Sequence, residues 1–318
     1  MRFKIQTVKL SNIDCKDNTY RITTETNVSD LMVSIRHVGL LNPPLLIGDD
    51  TEYTVVSGFR RIEACRGLGW SHLEARLLDP ETTMIDCAQY AITDNALQRP
   101  LNLIETSRSI GLISAFVQDD DTMAMKLSSL SLPQNPALVK KIQKIRHLSR
   151  PIQRAILFNT ISLAMALELG DLAPDAGNGF IELFENLKLS LNKQREVVNL
   201  VKEIAFREEI AVMEVLREKR LQEILTHADL DKSQKTRMIR SYLKKRRFPA
   251  ITSAERTFDR LMKELKLGSE IKLTPPDNFE GPIYTLTLKF KDLVELKDRQ
   301  ATFDTIIRNP ALEKIMGR

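Results

Sequence analysis

The 318-residue sequence contains no apolar run near the roughly 18 residues that cross a bilayer. Its opening stretch, MRFKIQTVKL, lacks the apolar core of a signal peptide. A cytoplasmic protein with no membrane partner is therefore expected. Cysteine is scarce: Cys15, Cys65 and Cys87 lie far apart with no CxxC pair, which argues against a disulfide framework or a structural zinc. His37, His72, His147 and His227 are scattered, with no HExxH-like cluster. No nucleophile and base can be paired, so no catalytic residue is assigned. Internal repeats and long low-complexity tracts are also missing. What remains is a soluble-type composition, 42% hydrophobic and 28% charged, with a net charge of +5 and a pI near 9.0. The excess is local, so a polyanionic partner is plausible.

The length allows two or three domains. In residues 1–105 short strands alternate with helices. Strands are predicted at Phe3–Lys9, Leu45–Ile47, Tyr53–Ser57 and Leu73–Leu77, and helices at Val28–Val38, Arg60–Leu68 and Thr83–Leu97. Residues 106–250 read as almost entirely helical, interrupted by an expected surface loop over Asp171–Gly179, which holds two glycines and a proline. Residues 251–318 read as a small α-β-β-α unit: a helix over Thr252–Leu267, strands near Glu270–Thr274 and Ile283–Phe290, and a helix over Leu293–Ile307.

The segment Val55-Val56-Ser57-Gly58-Phe59-Arg60-Arg61-Ile62 joins a β-branched strand to a helix through a glycine turn. Two guanidinium groups then share the first helical turn with unpaired backbone N–H groups, an arrangement that favours phosphate. Alone, it reads equally well as a charged helix start on the surface.

Two further blocks accompany it: Gly39-Leu40-Leu41-Asn42-Pro43-Pro44 upstream, and Thr93-Asp94-Asn95-Ala96-Leu97-Gln98-Arg99-Pro100-Leu101-Asn102-Leu103-Ile104-Glu105 downstream. In order and spacing the three resemble the GLxxP, G-x-R-R-x-x-A and E-N-x-x-R boxes of the ParB family, within the ParB/sulfiredoxin superfamily. The resemblance implies a CTP-binding, often CTP-hydrolysing domain. Gly39, Leu40, Asn42 and Pro43 would line the nucleotide pocket, with Gly58, Arg60 and Arg61 on the phosphates. Asp94 and Asn95 would sit at Mg²⁺ and the triphosphate, and Arg99 nearby.

The match departs from the family in two places. Phe59 stands where the family has glutamate, which separates binding from hydrolysis, so at most a weak CTPase is expected. Counted without gaps, Gln98 takes the place of the family arginine, and Arg99 falls about 100° further round a helix. Sulfiredoxin chemistry needs a cysteine in the phosphate turn, and Cys65 lies two helical turns beyond it.

Downstream, a helix pair near residues 122–148 resembles the family helix-turn-helix, with Ala137–Ile145 as recognition helix and Lys140, Lys141 and Lys144 exposed to a phosphate backbone. Its turn, with Pro133 and Pro136, is longer than usual, and a solvated helical hairpin is the alternative. Residues 152–167 resemble the helices that continue the family fold. From Lys232 to Arg247 there are eight Lys/Arg and no acid, ending in Lys244, Lys245, Arg246 and Arg247. Such a run can be merely solvated. However, Met238, Ile239, Tyr242 and Leu243 recur at helical spacing, so it can also form a helix with a cationic face for DNA or for an acidic protein. The last unit resembles the family dimerisation module in topology.

The expected protein is thus an α+β ParB/sulfiredoxin-like domain, a mainly helical DNA-binding region and a small C-terminal α-β-β-α module. It would act as a CTP-gated, homodimeric DNA-binding protein in partition or transcription regulation. The rivals are a small-molecule kinase on the same fold, acting for example on free serine, and a nucleotide-binding regulator that ignores DNA.

Overall fold

The computed structural model describes residues 2–317, and all their side chains except those of residues 298, 299 and 301. Met1 and Arg318, the outer ends of two expected domains, lie outside the described residues. Contacts divide the chain into two compact units, the first ending at Glu185 and the second beginning at Asn186.

The first unit opens with β1 (Phe3–Lys9), β2 (Ile13–Asp14), α1 (Ser29–Val38), β3 (Leu45–Gly48), β4 (Tyr53–Ser57), α2 (Phe59–Gly67), β5 (His72–Leu78) and α3 (Met84–Gln98). The five strands form one mixed sheet in the order β1-β5-β3-β4-β2. β3 lies parallel to β5 and antiparallel to β4, which brings the start of β3 beside the end of β4. Leu46, Val55 and Ala75 of the sheet are buried together with Ile35 of α1 and Ile62 of α2, as β-branched and aliphatic residues on a covered sheet face should be.

Six helices complete this unit: α4 (Leu103–Ser114), α5 (Asp120–Ser129), α6 (Pro136–Lys144), α7 (Arg150–Leu157), α8 (Leu163–Gly170) and α9 (Pro174–Glu185). α4 begins with a capping box in which Asn102 and Glu105 satisfy each other's backbone N–H groups. The surface loop expected over Asp171–Gly179 is instead mostly helix. Pro174 is the first residue of α9, where its missing N–H costs nothing, and Ala176, Phe180, Leu183 and Phe184 bury one face. Proline and glycine marked a helix start there, and a regular apolar face overrode the glycines' low propensity.

The second unit contains α10 (Leu191–Glu208), α11 (Val212–Leu216), α12 (Lys219–Thr226), α13 (Lys232–Arg247), α14 (Pro249–Leu265), the antiparallel pair β6 (Ile271–Thr274) and β7 (Thr285–Leu288), α15 (Leu293–Ile307) and α16 (Pro310–Met316). α13 starts at the Asp231 N-cap, whose carboxylate accepts from the N–H groups of Ser233 and Gln234. α16, which no motif announced, packs Ala311 and Ile315 against Leu261 and Leu265 of α14. No helix among the described residues is long and apolar enough to cross a membrane.

Candidate nucleotide site and basic surfaces

Because β3 and β4 run antiparallel, the turn after α1 lies against the turn that opens α2. Gly58 is the N-cap of α2 at φ 97°, ψ 22°, and a β-carbon there would come within 2.8 Å of Pro44 Cβ and 2.9 Å of its Cα. Only glycine meets both demands. This close approach puts the Gly39–Pro44 block and the Gly58 turn on the walls of one cavity of about 470 Å³. Gly39, Leu40 and Asn42 line it from one side; Gly58, Arg60 and Arg61 from α2; Asp94, Asn95, Gln98 and Arg99 from the end of α3. Of the residues singled out for a nucleotide, Pro43 alone is outside the lining, and its carbonyl ties two arginines, Arg61 and Arg76, in place.

Arg60 and Arg61 differ in what they hold. Arg61 donates from Nη1 to the carbonyls of Asn42 (2.9 Å) and Pro43 (3.3 Å) and from Nη2 to Asp94 Oδ2 (2.9 Å). It braces the cavity wall. Arg60 donates from Nη1 to Glu25 Oε2 and from Nη2 to the Asn27 carbonyl, both at 2.7 Å, while its buried Nε has no hydrogen-bond partner among the described residues. A buried donor left unsatisfied costs about 1–3 kcal/mol.

Asp94 also accepts from the buried Ser57 hydroxyl and lies 4.0 Å from Arg76. Asn95 donates Nδ2 to the Ala91 carbonyl one turn back. As a metal cage the pair is thin: one carboxylate, already countered by Arg61, and one amide oxygen. No group of three or more His, Cys, Asp or Glu side chains among the described residues could hold a metal ion. A hard divalent ion would need phosphate oxygens as well.

Arg99 is not on the helix. It is the C-cap of α3, with extended backbone (φ −164°, ψ 160°), so the helical offset expected between Gln98 and Arg99 does not apply. Its guanidinium forks onto Glu105 with two 2.7 Å bonds. Glu105, 1% exposed, also accepts from the backbone N–H groups of Thr24 and Asn102. Burial opposes its ionisation, yet Arg99 and the two N–H groups hold the carboxyl below its usual range. Phe59 is buried in the sheet core with the Arg21 guanidinium 5.3 Å from its ring centre. Cys65 is buried too, and burial pushes its thiol up to about 11, so it is inert.

The sequence did not single out Arg76, whose Nε donates to the Pro43 carbonyl at 3.0 Å, or Glu25, and gave no site role to Ser57 and Glu105, which lie within the quoted blocks. An arginine between the buried Ala75 and Leu77 of β5 was the one available signal for Arg76.

On α6, Val139 and Ile142 are buried, with Ile145 just beyond, and the Ile142 carbonyl accepts from Ser107 of α4. Lys140, Lys141 and Lys144 are consequently left on the exposed face. The turn before α6 spans residues 130–135 and is closed by the Asn135 N-cap. α13 is disposed otherwise. Arg246 pairs with Glu208 (2.6 Å) and Glu218, Arg247 with Glu203 (2.6 Å), and Arg240 and Lys244 with Glu196 (2.6 and 3.0 Å). Of its last four cations, Lys245 alone makes no ion pair among the described residues.

Residues 2–95 match the family model described as the ParB N-terminal domain. The probable chromosome-partitioning protein ParB of Helicobacter pylori is 24% identical over 177 residues, covering 56% of this chain and 59% of that protein. A nucleoid occlusion protein of Halalkalibacterium halodurans is 25% identical over 156 residues, covering 49% and 53%. The chain thus spans little more than half the length of these curated relatives. A crystal structure of C-terminally truncated ParB from Caulobacter crescentus, complexed with CTP-γ-S, is 18% identical and covers 57% of this chain and 98% of that one. Its TM-score of 0.27 is too low to bear on the site. Residues 2–95 of the chain thus form a domain that matches the ParB N-terminal domain, and the chromosome-partitioning and nucleoid-occlusion relatives align over that domain and part of the helices that follow it.

Proposed function

We propose that the protein is a nucleotide-gated DNA-binding protein acting in chromosome partition, nucleoid occlusion or transcription regulation. In this reading residues 1–105 bind CTP, residues 106–250 engage DNA, and residues 251–318 form a homodimer. The observation that carries it is the convergence of three separate sequence blocks on one cavity at the N-terminus of α2. Names of relatives such as chromosome-partitioning protein and nucleoid occlusion protein point the same way.

The chain's own residues would divide the work. Arg60 takes a phosphate through Nε and through the two nitrogens now held by Glu25 and Asn27. The free N–H groups of the first turn of α2 add a positive dipole. Arg61 holds the Asn42 and Pro43 carbonyls so that the wall stays open. Mg²⁺ would supply charge neutralisation between phosphates, with Asp94 and Asn95 as the nearest oxygen donors. With phenylalanine at position 59 the cavity has no carboxylate there to position a water, so binding rather than turnover is expected to set the switch. Nucleotide that prefers a closed arrangement of two copies would then shift the population toward it.

The exposed lysines of α6 would contribute sequence-independent DNA affinity. A mobility-shift series on the full chain across salt, with and without CTP, tests the reading. DNA retention that falls with salt and changes with CTP supports it. DNA binding that is absent, or indifferent to every nucleoside triphosphate, rejects it.

A further inference from the structure

A second concavity of about 660 Å³ lies in the first unit and shares Ile22 and Thr23 with the first. Four arginines line it, Arg21, Arg108, Arg146 and Arg150, and among the described residues no acidic side chain does. Arg21 is partly neutralised, its Nη2 lying 2.9 Å from Glu63. The other three have no carboxylate within ion-pair distance among the described residues. Arg108 is half-buried and donates only to the carbonyls of Ile22 (3.1 Å) and Thr23 (2.8 Å). Desolvation lowers its pKa, the charge of Glu105 opposes this from beyond ion-pair distance, and the charge of Arg21 adds to the lowering.

Arg146 uses Nε on the His147 ring and lies flat against α4. Glycine at residue 111 makes room for this placement: a β-carbon there would sit 2.2 Å from Arg146 Nη1 and would displace the guanidinium. Arg150, the first residue of α7, is exposed. Arg108, Arg146 and Arg150, gathered in one concavity without an ion pair of their own, repel one another, and the fold nevertheless holds them together with Arg108 half-buried and Arg146 over Gly111. A tetrahedral anion removes that repulsion and matches the planar guanidinium fork.

We propose that this concavity is a second anion site that takes a phosphate group, with Arg108 as its floor and Arg146 and Arg150 as the arms that reach the ligand. The phosphate can come from a nucleic-acid backbone or from a free polyphosphate. The site stands whether or not the first cavity holds a nucleotide.

The test uses the full chain and an Arg146→Gln/Arg150→Gln variant, with thermal melting as the check on folding. Arg150→Gln alone, at an exposed position, serves if the double variant does not fold. One arm titrates a short labelled duplex of arbitrary sequence across a salt series; the other titrates inorganic tripolyphosphate by calorimetry, where any contribution of the first cavity is common to both chains. If the ligand is a nucleic-acid backbone, the slope of log affinity against log salt shrinks by about 1.8, roughly 0.9 for each phosphate no longer neutralised, and the tripolyphosphate heat is unchanged. If it is a free polyphosphate, the variant loses tripolyphosphate binding and keeps its duplex slope. An unchanged slope together with unchanged tripolyphosphate binding overturns the site.

Discussion

Arg60 at the head of α2 and Arg246 in the tail of α13 both stand beside further cations in the sequence, yet the fold treats them in opposite ways. Arg246 is fully engaged: Glu208 and Glu218 take its guanidinium from two sides, and this shifts its pKa upward and that of Glu208 downward. Arg60 keeps a buried Nε without an acceptor and gives its remaining nitrogens to one exposed carboxylate and one carbonyl. Counting cations along the chain therefore overstates α13 as a ligand surface. A charge is available where the fold leaves it a free face or a donor without an acceptor, as at the lysines of α6, at Arg60 Nε, and at Arg108, Arg146 and Arg150 of the second concavity.

Substitutions at the two kinds of site put this contrast at risk. The largest effect is expected from Arg61→Ala, which releases the Asn42 and Pro43 carbonyls and leaves Asp94 only the Ser57 hydroxyl and the more distant Arg76. A loss of about 2–4 kcal/mol in stability, measured by denaturant melts, should accompany loss of nucleotide binding. Arg246→Ala should cost about 1–3 kcal/mol by leaving Glu218 with only the Tyr242 hydroxyl and Glu208 with only Arg207, while DNA affinity in a mobility assay changes little. A large DNA defect with normal stability would show that α13 is a ligand surface after all.

Glu105→Gln comes next. The folded carboxyl titrates below its unfolded value, so its contribution is fully present above the unfolded pKa and disappears as pH falls through the folded one. At neutral pH the variant should be less stable by about 1.5–3 kcal/mol, and melting temperatures of the two chains should converge as the pH is lowered into the carboxylate range. The smallest effect concerns Glu25, the acid that occupies Arg60. Glu25→Gln removes a surface pair worth about 0.2–1 kcal/mol, so nucleotide should bind up to about fivefold tighter. Weaker binding would mean that Glu25 helps to form the site.

Much of the first unit was legible because its signals are local. Tyr53–Ser57 is a β-branched run ended by Gly58, and the strand has those bounds. Asp231 caps α13, and the helix runs over Lys232–Arg247 as its apolar spacing implied. What stayed hidden depends on partners far along the chain. Glu105 binds Thr24, 81 residues away, and Arg240 binds Glu196, 44 residues away. No window of sequence contains both members of such a pair. α9 was misread because Pro174, Gly177 and Gly179 are turn residues locally, whereas the apolar face that makes them helical is satisfied only by tertiary packing. Arg99 escaped because a helix end can turn a side chain by a backbone change that periodicity does not encode.

The sharpest single measurement is calorimetric titration of CTP with Mg²⁺ into the wild-type chain and into Arg60→Ala, with melting curves for both. The wild type should bind CTP. Arg60→Ala should bind none while melting within a degree or two of wild type, because Arg60 makes one exposed ion pair and leaves the cavity wall to Arg61. Equal binding by the two chains, or no CTP binding by the wild type, would contradict the assignment of Arg60 to the phosphates.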